Sequence, residues 1–241
     1  MPALLEVEGL SKNFSGLRAV QDVSFAVPAG AIVALIGPNG AGKTTCFNMI
    51  AGVYRPDAGA VRLNGERIDG RRADQICRAG VGRTFQLVKP FAGLSVLDNV
   101  IVGALNASRT MAEARTQAEA MLDLLGLAPK RALPAASLTL AERKRLEVAR
   151  ALATRPRMLL LDEVMAGLRP TEIDQMVKLL RDLNSARGLT ILLIEHVMRA
   201  VMALSLRVIV MHHGQVIAAG TPDEIARDPA VLECYLGEEA L

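Results

Sequence analysis

Tryptophan is absent from these 241 residues, and aromatic side chains make up only 3% of them. A core with so few large rings must be built from Leu, Val, Ile, Ala and Met, which a hydrophobic content of 51% supplies. Cysteine is also scarce. Cys46, Cys77 and Cys234 are odd in number, far apart and without C-x-x-C spacing. That supports neither a disulfide framework nor a zinc site, and the three read as reduced structural residues. No apolar run approaches the ~20 residues needed to span a bilayer. The opening Met1-Pro2-Ala3-Leu4-Leu5-Glu6 lacks the charged start and long apolar stretch of a signal peptide, so a cytoplasmic chain is expected. Charge of one sign is lacking too: 28 basic residues against 25 acidic ones leave +3. The basic residues are scattered between acids and give no electrostatic footprint for nucleic acid.

What the sequence does contain is an alternation of short apolar runs and helical stretches. Its length suits one large α/β domain with a substantial core and an inserted lobe. Residues 4–7 and 19–27 carry strand-like patterns, and Pro28-Ala29-Gly30 makes a turn. The run Ala31-Ile32-Val33-Ala34-Leu35-Ile36 then reads as a buried parallel strand. Val61-Arg62-Leu63-Asn64-Gly65 resembles a strand ending in a hairpin turn. Over 96–127 the pattern becomes helical: Met111, Ala114, Ala118, Met121, Leu122 and Leu125 recur at three- and four-residue steps. Pro129 and Pro134 bracket a loop, and a second helix runs through Leu146-Glu147-Val148-Ala149-Arg150. Met158-Leu159-Leu160-Leu161 and Thr190-Ile191-Leu192-Leu193-Ile194 suit the middle of a parallel sheet. Residues 207–211 and 215–219 read as a closing hairpin around His213-Gly214. There is no internal repeat and no low-complexity linker. A parallel core with a helical lobe inserted over 88–153 fits this order.

The most specific chemical signal is Gly37-Pro38-Asn39-Gly40-Ala41-Gly42-Lys43-Thr44-Thr45, which matches G-x-x-x-x-G-K-[ST] in full. A strand precedes it and a helical stretch follows, so backbone N–H groups and a helix N-terminus surround a polyphosphate. Lys43 is placed to reach the β- and γ-phosphates, and the Thr44 hydroxyl to ligate magnesium. The second acidic element is Leu159-Leu160-Leu161-Asp162-Glu163, an apolar strand ending in two carboxylates where such folds bind ligands. Asp162 would hold magnesium and Glu163 would polarise an attacking water. The competing reading is a strand that merely ends at the surface. Ile194-Glu195-His196 repeats the layout one strand later. His196 is then either a contact to the γ-phosphate and water or a satisfied surface histidine. His212 and His213 fall in a turn and read as surface residues. Gln86 precedes the helical lobe, where an amide could ligate magnesium and report on the lobe's position.

Together these pieces resemble the ATP-binding subunits of ABC transporters, over nearly the whole chain. The resemblance implies a P-loop NTPase with a RecA-like parallel sheet core, an antiparallel β subdomain and an inserted α-helical subdomain. Residues 1–87 and 154–241 would form the core and β parts of a single ABC ATPase domain, and 88–153 the helical part. ATP and Mg2+ follow as cofactors. Gln86 becomes the lid-loop glutamine, Asp162 the magnesium aspartate, Glu163 the catalytic glutamate and His196 the switch histidine. Phe14 falls where the family stacks an aromatic on adenine, with core packing as its alternative. The family's Leu-Ser-Gly-Gly-Gln signature aligns on Leu138-Thr139-Leu140-Ala141-Glu142. Thr139 keeps a hydroxyl there, and Ala141 keeps the N–H that would meet a γ-phosphate from across a dimer. Ala141 for glycine, Val164 for proline and Arg169 for aspartate depart from the family pattern. They bear on hydrolysis and dimer contacts, not on nucleotide binding.

Softer cues, among them Arg83-Thr84-Phe85-Gln86, Ala166-Gly167-Leu168-Arg169-Pro170 and Ile194-Glu195-His196-Val197-Met198, resemble branched-chain amino acid importers. The resemblance implies a homodimer, or a heterodimer with a related subunit, packed head to tail around two ATP molecules. It also implies membrane-embedded permease subunits, docked through about 88–97, and indirectly a secreted substrate-binding protein. The chain would then sit peripherally on the inner face of the cell membrane. A lipid or lipopolysaccharide exporter is the rival within the class. A weakly hydrolysing regulatory module is favoured by Ala141 and Arg169 and opposed by Glu163 and His196. A soluble ABC-type ATPase of DNA repair or translation would call for long coiled coils or a second cassette, and neither is present.

Overall fold

The computed structural model describes residues 2–85 and 90–236. Its larger sheet centres on β3 (Ile32–Ile36), with β8 (Thr190–Ile194), β7 (Met158–Asp162) and β6 (Val81–Arg83) following on one side. On the other side lie β9 (Arg207–His212) and then β10 (Gln215–Gly220). All neighbours pair in parallel except β10, which returns antiparallel through the hairpin at His213-Gly214. The smaller sheet is antiparallel. It runs β2 (Leu17–Pro28), β1 (Ala3–Phe14), β4 (Ala58–Leu63) and the short β5 (Glu66–Arg67). Asn64 and Gly65 turn β4 into β5 with φ of 52° and 78°, as a tight hairpin requires.

Both faces of the parallel strands are covered, so these segments read as unbroken apolar runs. Alternate residues serve different layers. Ile32, Ala34 and Ile36 of β3 pack with the helices of the lobe, together with Leu159, Leu161, Ile191 and Leu193. Val33, Leu35, Leu160 and Leu192 face the other way, onto Phe47 and Met49 of α1 (Lys43–Ile50) and the inner face of β1 and β2. A short α2 (Ala73–Ala79) links β5 to β6.

Between β6 and β7 the chain leaves the sheet to form α3 (Val96–Ala104), α4 (Met111–Leu124) and α5 (Leu140–Leu152). The helical pattern expected over 96–127 is therefore two helices. Ser95 caps α3 by accepting the Asp98 N–H, and Thr110 starts α4 afresh by accepting the Glu113 N–H. Met111 belongs to the apolar stripe by spacing but is exposed, because it opens α4 beyond the packed interface. The last third adds α6 (Pro170–Arg187), α7 (Met198–Leu204), α8 (Pro222–Ile225) and α9 (Pro229–Leu236). Cys46 and Cys234 are buried and Cys77 is half-buried, and none of the three is joined in a disulfide.

Candidate nucleotide site

The loops after β3, β7 and β8 converge at the carboxyl ends of the parallel strands, where open α/β sheets hold their ligands. Gly37 turns the chain out of β3 with φ 143°, and a Cβ there would lie 2.0 Å from the Met211 carbonyl oxygen. Gly42, at φ 98°, precedes α1, and its Cβ would lie 2.4 Å from the Ala19 carbonyl oxygen. Only glycine satisfies both the dihedral and the approach at these two positions. Gly37 and Pro38 are buried beneath the loop, whereas Asn39, Gly40 and Thr44 are exposed. Lys43 is folded inward: its Nζ donates to the Gly37 and Pro38 carbonyl oxygens at 2.6 and 2.8 Å.

Residues 39–45 form one wall of a cleft of about 570 Å³ that also takes in Phe14, Ala19, Gln21, Glu163 and His213. Phe14 ends β1 at this cleft, so it is not a core residue. Its ring pairs with that of Tyr54 in a T-shaped contact at a centroid distance of 5.2 Å. His213 was expected at an ordinary surface turn. It is exposed in the β9–β10 turn, at φ 46°, and that turn also borders the cleft; its ring centre lies 3.9 Å from that of His212.

The two carboxylates at the end of β7 part company. Asp162 is buried and pairs through Oδ2 with Arg83 at 3.3 Å, while its N–H donates to the Thr84 hydroxyl. Arg83 is held in turn by the Asn48 side-chain oxygen at 2.6 Å. Burial pushes the Asp162 carboxyl above its usual range against the pull of Arg83, and burial lowers the Arg83 pKa. Asp162 Oδ1 is buried without a hydrogen-bond partner. Glu163 adopts φ 50°, an uncommon conformation for a residue with a side chain, and reaches the cleft. His196 Nε2 stands 2.5 Å from Glu163 Oε1. The histidine therefore meets the site through the glutamate.

Gln86 lies outside the described residues. Thr139 and Ala141 are not among the residues lining this chain's cleft; they open α5. Thr139 accepts the Glu142 N–H and Glu142 accepts the Thr139 N–H, a reciprocal cap. Ala141 sits in that first helical turn, so its methyl group brings no backbone strain. Arg169 caps α6 with its N–H bonded to Glu172 and its guanidinium paired to the same side chain at 2.8 Å. Arg83, Thr84, Lys144 and Glu195 all support the site; the first two and Glu195 fall in segments the sequence singles out, though without roles of their own, and nothing marks Lys144.

A family model described as "ABC transporter" matches residues 20–166, and one described as "Branched-chain amino acid ATP-binding cassette transporter" matches residues 215–240. The chain is 42% identical to the high-affinity branched-chain amino acid transport ATP-binding protein BraF of Pseudomonas aeruginosa, over 98% of each. It is 40% identical to the corresponding protein LivG of Escherichia coli, again over 98% of each. Identity is 38% to the lipopolysaccharide export system ATP-binding protein LptB of Acidithiobacillus ferridurans, over 99% of each. Among solved structures, an ATP-binding cassette of an ABC transporter in its ADP conformation superposes with a TM-score of 0.90 at 30% identity, covering 98% of this chain and all of that one. The RecA-like arrangement of sheets, the phosphate loop and the matches over nearly the full length agree: this chain belongs to the ABC transporter family, as one of its ATP-binding ATPase cassettes.

Proposed function

We propose that this cassette drives uptake of branched-chain or related amino acids, with Glu163 as the base of its ATPase reaction. One observation carries the chemistry: a left-handed Glu163 delivers its carboxylate to the cleft walled by the phosphate loop and holds it there against His196. In that place Glu163 takes a proton from the attacking water, and His196 orients the carboxylate. Lys43 and the loop N–H groups stabilise charge that develops on the phosphates. Phe14 stacks on adenine, a sequence-independent contact worth on the order of 1 kcal/mol.

The residues also fit Mg2+. Asp162 Oδ1 is a buried acceptor in want of a partner, and the Thr44 hydroxyl opens on the cleft. Among the described residues no three His, Cys, Asp or Glu cluster as a metal cage, which suits an ion that keeps phosphate and water ligands. Bound there, Mg2+ would neutralise phosphate charge. Gln86, outside the described residues, is proposed as its further ligand.

The cleft is half of a nucleotide site, since Thr139 and Ala141 stand apart from it on α5. Two such chains, or this chain and a related one, would complete it. The segment 88–153 acts as the helical subdomain inserted into a core formed by 1–87 and 154–241. Its junction with the core exposes Val53, Phe85, Phe91 and Val102, an apolar patch suited to a membrane permease. No helix among the described residues is long and apolar enough to cross a membrane, so attachment at the inner membrane face runs through that permease. A secreted binding protein would deliver the cargo to it. The branched-chain match over residues 215–240 favours amino acid import over lipopolysaccharide export.

Replacement Glu163→Gln tests the chemistry. It should retain ATP binding and lower steady-state phosphate release by two orders of magnitude or more. An unchanged rate would remove Glu163 from its role. ATP-dependent uptake of labelled leucine into vesicles holding the assembled transporter tests the cargo.

A further inference from the structure

Two buried charged residues that the reaction leaves unused flank the segment that carries Glu163. Lys144, in α5, is 5% exposed, and its Nζ donates to the Glu163 carbonyl oxygen at 2.6 Å. Glu195, just beyond β8, is 1% exposed and accepts the Met165 N–H on Oε1 at 2.8 Å. Its Oε2 is buried without a hydrogen-bond partner. The first bond is made by the carbonyl of Glu163 itself, whose φ of 50° is a strained conformation that persists only when its surroundings enforce it, and the second is made two residues further on.

Removing a lysine ammonium from water is costly, and opposite charges must offset the cost. Burial lowers the Lys144 pKa, against the pull of Glu195, Glu163, Asp162 and Glu147. Leu146 and Val148 show that the same helix buries apolar side chains readily. A cation kept at position 144, bonded to one particular carbonyl, calls for a reason beyond packing.

We infer that Lys144 is a positioning residue: from the helical layer it fixes the left-handed backbone that presents the Glu163 carboxylate, while Glu195 holds the far side of the segment at Met165. The inference rests on Glu163 as the base. It also links two half-sites. In the proposed pair of chains Thr139 and Ala141, at the start of α5, would face the nucleotide of the second subunit, and Lys144 lies about one turn further along the same helix. When α5 closes on one nucleotide, the movement reaches the glutamate that serves the other.

The test uses the full chain and its ATPase kinetics. Lys144→Met keeps the length of the side chain but removes its charge and donor. Its kcat should fall at least about tenfold while KM for ATP stays within about twofold. Lys144→Arg, which keeps a charged donor, should recover to within about threefold of the parent. If the methionine variant does not fold, Lys144→Gln takes its place in the same measurements. An unchanged kcat, a KM that rises as kcat falls, or an arginine variant no better than the neutral one overturns the inference. Glu163→Gln assayed alongside separates two failures. Turnover surviving in Glu163→Gln removes the base itself, whereas a parental rate in Lys144→Met beside an inactive Glu163→Gln removes only the role of Lys144.

Discussion

Gly37 has the least freedom of any residue at the site. A methyl group there meets the Met211 carbonyl oxygen of β9 at 2.0 Å, on a backbone at φ 143°. Neither atom belongs to a flexible side chain, so Gly37→Ala should cost several kcal/mol, on the order of 3, and lower the melting temperature while abolishing nucleotide binding. A melting temperature within a degree of the parent would refute that reading of the turn. Glu195 sets a pH dependence. Burial raises its carboxyl from 4.5 to about 7, against the backbone N–H groups of Met165 and His196 and the charge of Lys144, so the folded chain keeps a proton that the unfolded chain releases at lower pH. The folded state therefore loses stability as pH climbs from about 4.5 through about 7. Glu195→Gln keeps an acceptor for the Met165 N–H and removes the titration. Thermal denaturation should show it more stable than the parent at pH 8.5, by up to about 3 kcal/mol, with the gap closing at pH 4.5. At this scale the sequence reveals whatever is spaced locally. Lys43, Thr44, Asp162 and Glu163 are marked by their immediate neighbours along the chain. Arg83, Lys144 and Glu195 act across 79, 19 and 30 residues of separation, so no local pattern reveals which groups they hold.

At the scale of elements, α5 depends on its first residue. Thr139 and Glu142 satisfy each other's N–H groups, so Thr139→Ala should destabilise the fold by about 1 kcal/mol. That corresponds to a fall of about 2–4 °C in melting temperature for a domain of this size. Binding of a fluorescent ATP analogue to the isolated chain should not change, because Thr139 is not among the residues lining the chain's own cleft. Weaker binding in step with the lost stability would place α5 against that cleft after all. The central strands are legible in sequence because burial on both faces makes them continuous apolar runs, as in Leu159, Leu160 and Leu161. The pause between α3 and α4 is less legible. Residues 105–110 are a short polar stretch, and the capping hydroxyl of Thr110 announces the new start. β6 is the hardest to read: three residues, Val81, Gly82 and Arg83, become a strand because β7 pairs with them.

The whole molecule shows an uneven surface. Val53, Phe85 and Val102 are between 42% and 55% exposed and line one groove where the helical layer meets the core, and Phe91, 46% exposed, lies against Arg150 of its wall. Arg83 lies 5.4 Å from the centre of the Phe85 ring and Arg150 lies 4.9 Å from that of Phe91, so the rings are held outward instead of collapsing into the groove. Arg83 also pairs with Asp162, which connects this patch to the nucleotide site in a single step. A permease element seated on the rings would displace water from apolar surface at about 25 cal/mol per Å², enough for a few anchors to dominate attachment. Val102→Asp puts a charge into that groove from the exposed face of α3. As a surface change it should shift stability by no more than about 0.5 kcal/mol and leave the basal ATPase rate of the isolated chain intact. Co-purification with the permease and any stimulation of ATPase by it should both be lost, because an unpaired carboxylate would be buried on docking. If Val102→Asp still co-purifies at the parental ratio, the permease binds another face, and the exposed rings require a different partner.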